Sequence, residues 1–96
     1  MNVNLIKKGD IFFHRMNFDV DFYEVVAVSK NQKKIKILRL SRINTLIGYR
    51  KGYCCPIVGE YAENATVQLK SLRENTFKID NKKVQKWTGE FIQWSN

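Results

Sequence analysis

The sequence predicts an all-β fold: a small single-domain antiparallel β-barrel or strongly curled sheet of SH3-like size, with little helix. Three observations lead there. Short apolar runs recur between turn residues along the chain. The stretch from Phe18 to Val28 alternates with a period of two. No amphipathic helix of about 10 residues or more can be traced. Residues 1–96 make one domain with room for a single modest core, and a hydrophobic content of 44% is too high for disorder.

Gly9-Asp10 opens a first strand, Ile11 to His14. In the second, Phe18, Val20, Phe22, Val26 and Val28 share one face, broken only by Glu24. The other face carries Asp19, Asp21, Tyr23, Val25 and Ala27, and the aromatic and β-branched content suits a half-buried strand. Ser29 to Lys33 is polar and turns the chain back. The next strand, Lys34 to Arg42, begins with Ile35 and Ile37 inward, then slips in phase to Leu38 and Leu40. A β-bulge near Ile37 and Leu38 would return those side chains to one core face and leave Arg39 outward beside Lys36.

Asn44 to Gly52 reads as a loop. Further strands are expected over Tyr53 to Val58, Ala65 to Leu72, Thr76 to Ile79 and Phe91 to Trp94. Asp80-Asn81 and Thr88-Gly89-Glu90 are turn signals. Lys82 to Trp87 is open between a short strand and a helical turn.

No apolar run approaches the roughly 18–20 residues that cross a bilayer. The N-terminal MNVNLIKKGD lacks the apolar stretch of a secretion signal, so a cytoplasmic location without a membrane partner is expected. Cys54 and Cys55 are adjacent, which does not suit a disulfide, and too few for structural zinc. They read as reduced, buried or half-buried thiols. No cofactor and no metal are expected.

The net charge of +8 is concentrated. Between Lys30 and Lys51 stand Lys30, Lys33, Lys34, Lys36, Arg39, Arg42, Arg50 and Lys51, with no acidic residue among them. Elsewhere the charges balance. Such a field attracts phosphate-bearing or otherwise acidic partners.

The run GDIFF from Gly9, MNFD from Met16 and DFYEVV from Asp21 resembles a family of small phage- and plasmid-encoded proteins. Its pattern runs GDI, WGYDQTN, DFYxVV, with a W-D-G-K-P-like turn before a C-terminal aromatic strand. Here Trp87-Thr88-Gly89-Glu90-Phe91 and Gln93-Trp94 resemble that turn and strand, and Gly52 to Ile57 resembles a central glycine-to-proline segment, with Pro56 as its proline. The polar element departs from the pattern: it is Met16-Asn17-Phe18-Asp19, without the tryptophan and the Q-T-N part. The resemblance implies a mobile-element setting, the cytosol of a host cell, and an accessory role such as inhibiting host defence.

The candidate phosphate- or nucleic-acid-binding residues are Lys33, Lys34, Lys36, Arg39, Arg42, Arg50 and Lys51, with Tyr49 and Tyr53 placed to stack on bases. The plain alternative is a solvated face partly neutralised by Asp19 and Asp21, with Tyr23 against Arg39 in a simple hairpin register. Tyr23, Trp87 and Trp94 are candidates for an aromatic pocket, although the tryptophans equally suit closure of a barrel end. Asp19 and Asp21 are a weak acid–base or Mg²⁺ pair, and His14 with the cysteines a weak nucleophile and base; no catalytic residue is assigned. The expected function is non-enzymatic binding of nucleic acid, a host nucleoprotein complex or a signalling nucleotide. The alternative is a protein–protein module docking on an acidic host or phage protein. Oligomeric state is left open, because no free sheet edge can be identified from sequence.

Overall fold

A computed structural model describes residues 5–16, 19–49 and 51–95, which hold nine strands and no helix. Strands β1 (Ile11–Arg15), β2 (Val20–Val28), β3 (Lys34–Gly48) and β4 (Lys51–Tyr61) form an antiparallel meander. Strand β5 (Gln68–Ser71) returns beside the first half of β3. Strands β6 (Lys78–Ile79) and β7 (Lys82–Lys83) make a tight hairpin. Strand β8 (Gln85–Lys86) borders β1, and β9 (Ile92–Ser95) borders β4. The sheet order is β8-β1-β2-β3-β4-β9.

The sheet curls into a half-barrel because β3 changes neighbours along its 15 residues. Its first part pairs with β2 and β5; from Leu40 onward it pairs with β4. The curl brings the far ends together, where an Arg15 guanidinium N–H donates to the Gln93 carbonyl at 2.6 Å.

Both faces of the sheet are buried, in two separate cores. Phe12, Tyr23, Val25, Ile35 and Ile37 pack on one face under Ile6, Phe77, Ile79 and Val84. Ile11, Phe13, Val20, Phe22, Leu40, Cys54 and Ile92 fill the other, with Trp87 and Trp94 against them. Strand alternation sends neighbours to opposite sides, so each central strand feeds both. This corrects the single-face reading of β2: Tyr23 and Val25 are buried as fully as Val20 and Phe22, while Val26 and Val28 are only partly covered. Phe18 lies outside the described residues.

The same fact removes the bulge expected near Ile37 and Leu38. Ile37 pairs with Val25 and Leu38 with Glu24 in unbroken register. The phase slip is real, but it sends Ile35 and Ile37 to one core and Leu40 to the other. The bulge sits on β2, where Val26 is the extra residue between Val25 and Ala27.

The expected loop from Asn44 to Gly52 is mostly strand. Strand β3 runs to Gly48 and β4 starts at Lys51, so the two meet in a tight hairpin. Strand β4 also continues past Val58 to Tyr61. The expected strand from Ala65 shrinks to Gln68–Ser71, and Lys82 to Trp87 contains β7 and β8 rather than a helical turn. Asp80 and Asn81 form the predicted turn, with φ of 51° and 64°. That backbone matches the twist of a short hairpin and is tolerated by Asp and Asn.

Candidate polyanion-binding surface

The structure divides the predicted basic stripe. Alternation along β3 places Lys34 and Lys36 on one face and Arg39 on the other, beside Ile35 and Ile37. Arg39 is directly opposite Tyr23, the register that the simple hairpin predicted. Lys51 lies at the other end of β3, across from Gly48. About 45 Å of strand path separates it from Lys34 at ~3.3 Å per residue. Tyr49 and Tyr53 stand on that distal hairpin, 84% and 36% exposed. Arg50 lies outside the described residues. The lysines and arginines from 30 to 51 are therefore not one surface.

Arg42 is held by carboxylates. Its Nη2 lies 2.5 Å from Asp19 and its Nη1 2.8 Å from Asp21, and Nη1 also donates to the Val20 carbonyl. The guanidinium fills the gap where β3 leaves β2 for β4, a planar fork matched to two acceptors. Asp19 and Asp21 thus serve as partners of the basic strand. Arg42 is a structural residue, and its charge is spent inside the fold.

A second set of basic residues comes from β5 and the β6–β7 hairpin, on the sheet face opposite Lys34 and Lys36. The Leu72 N–H donates to the Lys33 carbonyl at 2.7 Å, and β5 brings Ser71 opposite Lys34, Lys70 opposite Ile35 and Leu69 opposite Lys36. The chain then passes through Arg73, whose backbone exchanges hydrogen bonds with Thr76 at 2.9 and 3.1 Å. Lys78 and Lys83 follow as a directly opposed cross-strand pair. A surface hollow of about 410 Å³ lies between these elements, lined by Ser71, Arg73, Glu74, Thr76, Lys78 and Lys83 among others.

The ion pairs among the described residues are those of Arg42 and one between Lys86 and Asp10 at 3.8 Å. Lys33, Lys34, Lys36, Lys70, Arg73, Lys78 and Lys83 have no carboxylate that close. Two lysines facing each other across a hairpin are destabilising in themselves. Sequence reading missed Lys70, Arg73, Lys78 and Lys83. Their signal was the lysine-rich C-terminal half, where an equal number of acids elsewhere in the chain hid the clustering.

The aromatic pocket does not form as predicted. Tyr23 belongs to one core, whereas Trp87 and Trp94 pack against the other. Burial, and next Asp21, raise the Tyr23 phenol above its ordinary pKa, while Arg39 pulls it down. Trp87 meets Phe22 edge-on at 6.3 Å and donates its indole N–H to the Glu90 carbonyl at 2.6 Å. Trp94 lies over Gly52, so both tryptophans close the barrel end while Phe91 is 61% exposed.

Cys54 is buried and Cys55 half-buried, both free thiols. Burial pushes the Cys54 thiol up to about 11, which makes it a poor nucleophile at neutral pH. His14 is 4% exposed on the face of β1 opposite the Cys54 core. No group of three His, Cys, Asp or Glu side chains suited to a metal occurs among the described residues. No helix among them is long and apolar enough to cross a membrane.

These features define a small curled β-sheet protein with exposed basic side chains on both faces. A comparison with protein-family models, curated proteins and solved structures returned no match to this chain.

Proposed function

We propose that this protein is a non-enzymatic binder of phosphate-bearing polyanions, nucleic acid foremost, and that the hollow lined by Arg73, Lys78 and Lys83 is the centre of its contact surface. The observation that carries the reading is the Lys78–Lys83 pair beside Arg73, with no ion pair to a carboxylate among the described residues. A like-charge pair that weakens the fold makes physical sense where a polyanion neutralises it. The open, exposed setting suits a backbone of phosphates better than one enclosed nucleotide. Contacts of this kind position a polyanion without reading its sequence.

The resemblance to phage- and plasmid-encoded proteins supplies a setting for this activity. A mobile-element product of this kind would mask a nucleic acid or host nucleoprotein from the defence machinery in the host cytosol.

The test is fluorescence anisotropy with short DNA and RNA duplexes and single strands across a salt series. Affinity should fall linearly in a log–log plot, with a slope of about 0.7–0.9 per phosphate contacted. Arg73→Glu, and separately Lys83→Glu, should each weaken binding, whereas Lys34→Glu with Lys36→Glu, on the opposite face, should weaken it less. No binding at low ionic strength, or affinity indifferent to salt, ends this reading. The second reading is docking on an acidic host or phage protein. It is favoured by Leu69 and Val67, 62% and 55% exposed near Lys36, and it predicts one stable protein partner with no affinity for free nucleic acid.

A further inference from the structure

We infer that the chain forms a two-fold dimer through the outer edge of β3, independently of the polyanion-binding reading. From Ile43 to Gly48 this strand pairs with β4 on one side only, and no described residue pairs with its other edge. The segment Ile43-Asn44-Thr45-Leu46-Ile47-Gly48 has no charge and no proline. Charge and proline are usual devices that keep a free edge from pairing with another chain, and a third, a bulge, is confined here to the Leu46–Gly48 end.

The occupant that fits is a second copy. Antiparallel pairing centred on Thr45 sets Thr45 against itself, Ile43 against Ile47 and Asn44 against Leu46, so the apolar pattern is its own complement. Ile43 and Thr45 share a face with Tyr53, which stands opposite Thr45, and Ile47 sits at a bulge between Leu46 and Gly48. These isoleucines are 49% and 46% exposed in the single chain, and Leu46 on the other face is 72% exposed. Pairing two edges would cover them in one continuous sheet of β9, β4 and β3 from each copy. The charges agree. The same register carries the hairpin end with Lys51 of one copy toward Ser41 and Arg42 of the other, where Asp19 and Asp21 outnumber the single guanidinium.

Sedimentation velocity over a protein concentration series tests this directly. A reversible monomer–dimer equilibrium is expected, and Ile47→Lys should weaken it about tenfold or more by burying a charge at the contact. Circular dichroism checks that the variant is folded. In a Cys55→Ser background, Thr45→Cys should cross-link two chains under mild oxidation, whereas Leu46→Cys, which does not face itself, should not. Dimerisation, carried mainly by backbone pairing and apolar contact, should change little as salt rises, whereas polyanion binding should fall steeply, so the two proposals fail separately. A monomer at every concentration, a dimer unaffected by Ile47→Lys, or equal cross-linking at 45 and 46 overturns the inference.

Discussion

Arg42 and Asp19 meet at 2.5 Å across the seam where β3 parts from β2. With Asp21 at 2.8 Å and the Val20 carbonyl on the same guanidinium, this contact replaces backbone pairing that the strands no longer make there. An arginine at the middle of the basic segment therefore holds the sheet together and is not offered to a partner.

Replacing it should show this. Arg42→Ala should destabilise the fold by about 1–3 kcal/mol in urea unfolding, because two partly buried carboxylates lose their partner. Arg42→Lys should recover only part, since an ammonium cannot fork to both. Anisotropy on the folded fraction should show no loss of polyanion affinity.

Lys78→Glu should act in the opposite sense. It converts the facing pair with Lys83 into an attractive one and should stabilise the chain by up to about 1 kcal/mol. Polyanion affinity should fall at the same time. A variant that melts higher yet binds worse separates the function of this pair from its role in the fold.

Gly52 is required for space, not for backbone freedom. A Cβ there would meet the Thr45 carbonyl oxygen at 2.4 Å and the Trp94 ring at 2.8 Å. Gly52→Ala should destabilise the chain by about 1–3 kcal/mol and shift tryptophan fluorescence as Trp94 is displaced.

The cysteines should differ sharply. A thiol reagent at neutral pH should modify half-buried Cys55 and spare Cys54 until the chain unfolds. The folded-state pKa values of Cys54 and Tyr23 lie above their ordinary values of 9.0 and 10.0, so the fold favours their protonated forms. Their contribution is complete below those values and is lost as pH climbs through the folded-state values, about 11 for Cys54. Urea midpoints should fall over that alkaline window, less steeply in Cys54→Ala.

Much of the fold was legible because it depends on neighbours in the chain. Alternation in Val20–Val28, the Ser29–Lys33 turn and the Asp80-Asn81 turn came from side-chain period and turn chemistry, and the Tyr23–Arg39 register followed from the hairpin. The hairpin tip was misread because Gly48 and Gly52 look like loop residues. Gly48 lies under the Lys51 side chain, and Gly52 makes room for Trp94. The candidate site was less legible. Its residues Lys70 and Arg73 reach β3 only through β5, across more than 30 residues of intervening chain, and nothing local reports that pairing.

What the sequence determined by itself was an all-β chain, the positions of its main strands and turns, and an excess of positive charge. Tertiary structure decided that the sheet has two buried faces, that Arg42 is neutralised, and that Lys70 and the β6–β7 hairpin fall on the sheet face opposite Lys34 and Lys36. The physical reason is reach. Alternation and turn preference act over a few residues, whereas the burial of a face and the pairing of distant strands depend on closure of the whole chain.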